Sequence, residues 1–253
     1  MRRRASSLTT TGPPSTGSTD RRQDVIDLGL REEVFTAALP ACDRENLRMA
    51  FIDLRAFVRA NLPEPPARVL EVGAGSGDLA RALRAGGYDV LAIDPKSDSA
   101  DVRAVALADL DEPAGSFAAA VAVVSLHHVD PLEDSCRRLG ELVTPGGTLL
   151  LDEFDVAAFD VGAAAWWLEQ RRALGEPQEK TAEELVEEHR DHLHPLDRIL
   201  AALEPDFELG PPVRGPWLHR WALGESLRAV EEEAIARGQL HAVGARIVAR
   251  RHS

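Results

Sequence analysis

Residues 69–79 place a short apolar run, a glycine-rich turn and the start of a helix in direct succession. Three glycines alternate with other residues in the turn, at Gly73, Gly75 and Gly77. Glycine adopts positive φ angles that a β-carbon disfavours, and the first turn of a helix offers unpaired N–H groups to a ligand. The segment therefore predicts a ligand-binding turn at the carboxyl end of a buried strand, as in open α/β sheets.

Short apolar runs alternate with helical stretches through the next eighty residues. Strands are predicted at 67–72, 88–93, 102–107, 118–124 and 148–152, with helices at 78–85 and 132–142. Buried strands separated by helices are typical of a parallel sheet that is covered on both faces. The sequence predicts a doubly wound α/β domain.

Further helical patterns flank this core. Residues 43–62 predict an N-terminal helix, which either packs on the sheet or partly covers a ligand cleft. A helical insertion is expected at 156–205, with helices at 157–174 and 181–203, and Trp166 and Trp167 are interpreted as core residues rather than a substrate wall. Residues 206–253 predict a return to the sheet, in which the segments 207–209, 218–223 and 242–249 supply two final strands around a helix at 225–237. Residues 1–22 are predicted to be a disordered basic tail ahead of one domain at 23–253.

The residues around the glycine turn indicate which ligand it suits. A nicotinamide dinucleotide site needs glycine or alanine three positions after Gly75, where this chain has Asp78. Asp94, at the end of the second strand, can accept hydrogen bonds from both ribose hydroxyls of an adenosine, or it simply starts a turn before Pro95. The E-x-G-x-G-x-G pattern resembles the first motif of class I S-adenosylmethionine-dependent methyltransferases, and it is formed by Glu71, Gly73, Gly75 and Gly77.

Three later segments resemble the same family. They are Ala108-Asp109-Leu110, Val124-Ser125-Leu126-His127-His128-Val129 and Leu142-Val143-Thr144-Pro145-Gly146-Gly147-Thr148-Leu149-Leu150. The resemblance implies a mostly parallel, seven-stranded Rossmann-like sheet with its last strand antiparallel. It also implies S-adenosylmethionine as cofactor, S-adenosylhomocysteine as its product, and cofactor contacts from Glu71, Gly73, Ala74, Gly75, Gly77, Asp94, Pro95, Asp109, Leu110, Ser125 and Leu126.

The reaction implied by this resemblance is direct transfer of a methyl group to a small molecule, with oxygen favoured over nitrogen or carbon. A base is needed only if the nucleophile must lose a proton, and the candidates are His127, His128 and Glu153. Either histidine could instead be structural or a wall of the cofactor site. Two alternatives remain, namely a protein of this fold that binds an adenosyl ligand without methyl transfer, and an NAD-dependent oxidoreductase.

Metal and disulfide sites find no support in the sequence. Cys42 and Cys136 lie far apart and belong to no pattern of metal ligands. Asp152, Glu153 and Asp155 could suggest a hard cation, but the further ligand that catechol-type O-methyltransferases supply has no counterpart here. We therefore expect no metal.

Charge and hydropathy limit the partners. The formal net charge is −13, although residues 1–22 carry five arginines against one aspartate. An acidic body repels phosphate backbones, so a nucleic acid substrate is disfavoured. No apolar run approaches the length of a membrane span. We expect a cytoplasmic protein, monomeric or homodimeric, with a small-molecule substrate.

Overall fold

The computed structural model describes residues 52–253 and centres on a seven-stranded mixed sheet. Four strands run parallel in the order β2-β1-β3-β4, and their bounds are β1 Arg68–Val72, β2 Asp89–Ile93, β3 Phe117–Val123 and β4 Val143–Phe154. Strand β7 (Gly244–Arg251) runs antiparallel to β4, and the short strands β5 (Phe207–Leu209) and β6 (Val213–Gly215) pair with β7. The mostly parallel α/β sheet with an antiparallel last strand is confirmed.

Helices cover both faces of this sheet. Alternate strand residues point to opposite faces, so that Val69 packs on one side and Leu70 on the other. Helices α1 (Leu54–Asn61) and α2 (Asp78–Ala85) cover the Val69 face, while α3 (Leu132–Leu142) and α6 (Leu196–Leu203) cover the Leu70 face. The predicted doubly wound arrangement is confirmed. The expected tail at 1–22 and the first part of the expected N-terminal helix lie outside the described residues.

The strand predicted at 102–107 does not form. Arg103 makes one isolated parallel bridge with Ile93, and the chain then turns back as the Val105 N–H donates to the Arg103 carbonyl. A 3-10 turn at Leu107–Asp109 follows. The segment contains two alanines, which have low strand propensity, and lies at the open edge beside β2, where only one neighbour could hold it. The sheet still has seven strands, because β6, which the sequence did not predict, adds one that makes up for the missing strand.

The insertion after β4 differs from the prediction in its boundaries. Helix α4 (Val161–Ala173) begins later than expected because the Asp160 side chain accepts a hydrogen bond from the Ala163 N–H and so caps it. The long helix predicted at 181–203 is two helices, α5 (Ala182–His192) and α6, because Pro195 has no N–H with which to continue the ladder. Trp167 is buried in the core of this region, as expected, and Trp166 packs at its margin.

The predicted strand at 218–223 is also wrong. Leu218–Arg220 forms a 3-10 turn, because the N–H groups of Trp217, Leu218 and His219 all donate to the buried Glu231 carboxylate rather than to a neighbouring strand. The following helix is shorter than predicted, with a 3-10 turn at Glu225–Leu227 before α7 (Arg228–Ala236). Among residues 52–253, no helix combines the length and apolar character that crossing a bilayer requires.

Candidate functional site

The glycine turn lies where β1 ends and α2 begins. Gly73, Gly75 and Gly77 all have positive φ angles, of 71°, 52° and 78°. The turn is tied to the next strand, since the N–H groups of Gly73 and Ala74 both donate to the Ile93 carbonyl at 2.9 and 3.0 Å. The predicted strand, turn and helix are therefore present, with the turn fixed against the end of β2.

The three glycines differ in what surrounds them. A β-carbon at Gly73 would lie 2.3 Å from Ser125 Cβ, and one at Gly77 would lie 2.9 Å from Val102 Cγ2. A β-carbon at Gly75 would meet nothing within 4 Å. Gly73 and Gly77 are thus required for packing within the protein, whereas Gly75 borders open space that a ligand can occupy.

Asp94 joins the glycine turn to the end of β2. Its Oδ2 accepts the Gly75 N–H at 3.0 Å, and its Oδ1 accepts the Lys96 N–H at 2.8 Å. The Ser97 hydroxyl donates to the Gly75 carbonyl at 2.6 Å, and Pro95 is exposed beside it. The carboxylate is half-buried, and these two hydrogen bonds fix its orientation. Each oxygen keeps a lone pair that can accept a hydrogen bond from a ligand beside the turn.

Glu71 is a buried carboxyl group beneath the turn. Only 4% of the residue is exposed, and Oε2 has no hydrogen-bond partner in the part of the chain that the structure describes. Burial raises the pKa of Glu71 to about 7, against the lowering effect of a hydrogen bond from the Ala80 N–H and of Arg84. An unpaired buried acceptor is costly, and a ligand that brings an N–H donor or a positive charge would satisfy it.

The loop with Asp109 and Leu110 is held from α3. The Leu110 carbonyl accepts hydrogen bonds from Nε and Nη2 of Arg138, at 3.1 and 2.7 Å. Leu110 is buried, while Asp109 ends the 3-10 turn with its side chain exposed. Asp109 is thus presented to solvent on a loop whose backbone is fixed.

A buried carboxylate organises the turn after β3. Glu153 Oε1 accepts the N–H groups of Ser125 and Leu126 at 3.1 and 2.8 Å, and Oε2 lies 2.6 Å from His127 Nδ1. Glu153 is fully buried and His127 is 2% exposed. The Ser125 hydroxyl is buried without a hydrogen-bond partner among the described residues, and it lies against Gly73. Because both Glu153 oxygens are engaged, this side chain orients the turn rather than facing solvent.

His128 is the exposed histidine of the same turn. Its ring centroid lies 4.3 Å from that of His127. Although the residue is exposed overall, desolvation of its ring in this corner, reinforced by His127 and Lys96, lowers the pKa of His128 to about 4. The imidazole is therefore neutral near physiological pH and has a lone pair to offer.

An aromatic cluster that the sequence did not indicate extends from the His127 turn. Phe154 lies between His127 and His189, with ring centroids 6.1 and 6.3 Å away, and His189 contacts Trp221 at 4.8 Å. Trp221 stacks on Trp167 at 4.1 Å. These rings come from different elements, so helical spacing alone could not have placed them together. Within residues 52–253, no three His, Cys, Asp or Glu side chains are grouped as metal ligands would be.

Comparison with known proteins gives consistent results. A family model described as a methyltransferase domain matches residues 43–198. A ubiquinone biosynthesis O-methyltransferase of Xanthomonas campestris is 38% identical over 111 residues, covering 38% of this chain and 46% of that protein. The match thus spans less than half of the curated relative.

Solved structures with the same fold include two that differ in chemistry. One is an S-adenosylmethionine-dependent methyltransferase from Mesorhizobium loti, with a TM-score of 0.53 and 17% identity over 78% of this chain and 98% of that chain. The other is the (4+2)-cyclase SpnF, with a TM-score of 0.51 and 17% identity over 79% of each chain. At these identities the similarity concerns the fold alone.

Proposed function

Since this chain belongs to the methyltransferase domain family, whose model matches residues 43–198, we propose that it transfers a methyl group from S-adenosylmethionine to a hydroxyl of a small molecule. One observation carries the cofactor assignment. The Gly75 N–H donates to the Asp94 carboxylate, and the buried Glu71 beneath this turn has an oxygen, Oε2, without a hydrogen-bond partner among the described residues. This arrangement offers a ligand an open glycine turn, a fixed carboxylate and a buried acceptor at one sheet edge.

The residues present fit this cofactor. Gly75 has free space where a ligand would pass, and Glu71 Oε2 offers an unused acceptor for an ammonium group. We propose that Asp94 accepts hydrogen bonds from the ribose hydroxyls and that Asp109 accepts one from the adenine amino group. We propose that Gly73, Ala74, Gly77, Pro95, Leu110, Ser125 and Leu126 form the remaining wall. When bound, S-adenosylmethionine supplies a methyl group that its sulfonium makes electrophilic.

The protein's own contribution is alignment of the nucleophile, exclusion of water and removal of a proton. The neutral imidazole of His128 stands at the exposed side of the β3 turn and is our candidate for the base that accepts the hydroxyl proton. His127 is held through Nδ1 by Glu153, which leaves Nε2 as its acceptor if Nδ1 carries the proton. We assign Glu153 a positioning role, because its oxygens bind the turn itself.

The choice of oxygen as acceptor follows from this base and from the curated relative. A hydroxyl must lose its proton when it is methylated, so a neutral imidazole beside the reacting atom is useful. The relative from Xanthomonas is named an O-methyltransferase, although the match covers only part of it. A small molecule also suits the acidic character of the chain, which repels nucleic acid.

Two other functions make different predictions. The similarity to a cyclase shows that this fold also serves other reactions, so binding of the cofactor without methyl transfer is the main alternative. An NAD-dependent oxidoreductase is the third candidate function, and Asp78 argues against it. Asp78, in the first turn of α2, pairs with Ser76 and Arg81 and puts a carboxylate where a pyrophosphate would approach.

The first experiment is calorimetric titration with S-adenosylhomocysteine and, separately, with NAD. We expect micromolar binding of S-adenosylhomocysteine only, abolished in Asp94→Ala because that variant loses both the ribose acceptor and the anchor of Gly75. Asp89→Ala, which removes an exposed carboxylate from the other end of β2, is the matched control. Mass spectrometry of reactions with hydroxylated small molecules then separates methyl transfer from binding alone.

A further inference from the structure

A cavity lies beside the start of α1. Its volume is about 260 Å³, and four arginines contribute to its wall, namely Arg55, Arg220, Arg228 and Arg246. The carboxylates that line it are Asp53, which caps α1 by accepting the Ala56 N–H, and Glu225. Cationic side chains outnumber carboxylates in this wall, whereas in the whole chain Asp and Glu outnumber Lys and Arg by 42 to 29.

Two of these arginines are fixed by one buried carboxylate. Asp152 is 4% exposed, and its two oxygens accept hydrogen bonds from Arg220 Nη1 at 2.5 Å and Arg246 Nε at 2.7 Å. Arg246 also donates to the Ile52 carbonyl at 2.7 Å. One negative charge thus orients two positive ones. A guanidinium that is already oriented loses less conformational entropy when it binds a planar oxyanion.

The opposite wall has a histidine that is held in the same manner as His127. Glu231 Oε2 lies 2.7 Å from His219 Nδ1 and also accepts the His219 N–H, while both residues are buried. This leaves His219 Nε2 directed to the cavity side, where Glu225 Oε2 lies 3.5 Å away. Glu225 Oε1 also lies 3.3 Å from Nη1 of Arg228, and Nε of the same arginine donates to Glu232 Oε1.

The position of Glu225 indicates what the cavity accepts. Its side chain is 72% exposed, and its contacts with His219 and Arg228 are long for ion pairs. An exposed carboxylate that bridges a buried histidine and an arginine at the cavity wall occupies a place that a ligand carboxylate could take over.

The cavity also lies close to the glycine turn. Arg55 lines the cavity and acts electrostatically on Asp78, the first residue of α2, where it assists Ser76 and Arg81 in lowering the pKa of that carboxyl. Asp152, which holds two arginines of the cavity, is near the carboxyl end of β4, and the glycine turn follows the carboxyl end of β1. The turn and the cavity therefore lie at the same edge of the sheet. A small acceptor bound in the cavity would lie beside the methyl donor.

We infer that this cavity holds the carboxylate of the methyl acceptor, so that the substrate class is a small hydroxylated carboxylic acid. This inference rests on the proposed function. Arg220 and Arg55 bind the carboxylate, and Glu225 is displaced when the acid enters.

The test compares hydroxybenzoates with the corresponding hydroxybenzamides, which have nearly the same shape and no charge. Each is titrated into protein saturated with S-adenosylhomocysteine, with benzoate as the simplest probe. A charge-assisted hydrogen bond corresponds to roughly tenfold or more in affinity, so the acids should bind at least about tenfold more tightly than the amides. Arg220→Gln and Arg55→Gln should each remove most of this preference.

Glu225→Gln is the decisive variant because it predicts a gain. Removing the competing carboxylate should tighten benzoate binding several-fold, and the exposed position protects the fold. Glu176→Gln, the same change at an exposed glutamate paired with Arg171, is the matched control and should leave benzoate affinity unchanged.

Equal affinity for acids and amides, an unchanged affinity in Glu225→Gln, or no saturable benzoate binding would each overturn the inference. Failure of the proposed function is recognised separately, because it appears as absent binding of S-adenosylhomocysteine or absent methyl transfer. Benzoate binding that depends on Arg220 in a protein without methyl transfer would retain the carboxylate site and reject only its link to the donor.

Discussion

Glu153 and Glu231 hold two separate turns in the same way. Glu153 accepts the N–H groups of Ser125 and Leu126 and binds His127 Nδ1, while Glu231 accepts those of Trp217 and Leu218 and binds His219 Nδ1. Each turn is 3-10 and contains a Leu-His pair. Both carboxylates are fully buried, so each fixes one imidazole with Nε2 away from the acid.

Replacement of Glu153 by glutamine should impair chemistry more than binding. If the amide oxygen keeps the two backbone hydrogen bonds, the NH2 group faces His127 Nδ1. If the amide is turned round, the oxygen faces Nδ1 and the backbone hydrogen bonds are lost. In the first case the imidazole must change its tautomer or orientation. We expect kcat to fall by about 100-fold and the free energy of unfolding to fall by about 2 kcal/mol. Steady-state kinetics and urea unfolding measure the two effects.

Glu231→Gln provides the comparison for that variant. It disturbs the matching turn beside the arginine-rich cavity, so its effect on the unfolding free energy should be similar while its kinetic effect falls on the KM of the acceptor. If Glu153→Gln changed only stability, or if the two variants had the same kinetic profile, the positioning role of Glu153 would be contradicted.

Alanine at Gly73 and at Gly75 should produce different defects. A β-carbon at Gly73 collides with Ser125 in addition to adopting a left-handed φ, so Gly73→Ala should lower the unfolding free energy by roughly 2–5 kcal/mol. Gly75→Ala meets no protein atom and should cost roughly 1–2 kcal/mol, from its backbone angle alone. Denaturant unfolding gives this order.

Ligand binding distinguishes the same two positions. Because the space beside Gly75 is the space proposed for the cofactor, Gly75→Ala should weaken S-adenosylhomocysteine binding at a temperature where the variant remains folded. Unchanged affinity in a folded Gly75→Ala protein would show that the ligand does not approach this glycine.

The sequence predicted the parts of the fold that depend on local pattern. The glycine turn and the strands around it follow from periodicity and from the positive φ angles that only glycine accepts readily. Asp94 was correctly placed at the end of β2 because strand ends share one edge of a parallel sheet. These predictions needed only neighbouring residues.

The parts that were missed depend on contacts distant in sequence. The expected strand at 218–223 is replaced by a turn because Glu231, from the following helix, captures its N–H groups. The strand expected at 102–107 lies at the open edge of the sheet, where only β2 could hold it, and the chain turns back after one bridge. His189, from α5, and Trp221, from the loop after the 3-10 turn Leu218–Arg220, join the candidate site, and no spacing in the chain encodes that grouping.

His128 should titrate far below an ordinary histidine. Desolvation and the adjacent His127 lower its pKa to about 4, so nuclear magnetic resonance of the ring protons should show a midpoint near that value, absent in His128→Asn. The unfolded chain takes up this proton at about pH 6.5, whereas the folded protein takes it up only near pH 4. The free energy of unfolding therefore decreases as the pH falls from about 6.5 to about 4. If His128 is the base, kcat/KM of the native protein should lack an inflection near pH 6.5. A midpoint near 6.5 would contradict the desolvated environment.

Glu71 should make the protein less stable as pH rises. Its pKa is about 7 in the folded state against an ordinary 4.5, so the folded protein keeps a proton that the unfolded chain releases between these values. Stability from this group is complete below about pH 4.5 and is lost as pH rises through about 7, with a total of about 3 kcal/mol. Glu71→Gln cannot ionise, so it should match the native protein in acid and exceed its unfolding free energy by up to that amount at about pH 8.

The same substitution should weaken the cofactor while it stabilises the fold. A ligand ammonium group needs the ionised carboxylate, so S-adenosylhomocysteine binding to the native protein should release a proton near neutral pH and tighten as pH rises from about 6 to 8. Calorimetry in buffers of different ionisation enthalpy measures that proton directly. In Glu71→Gln we expect binding about tenfold weaker, with no proton release from this group. An unchanged affinity for S-adenosylhomocysteine, together with the predicted gain in stability, would mean that Glu71 is buried without contacting the ligand. Burial alone explains the gain in stability, whereas weaker binding requires contact with the ligand.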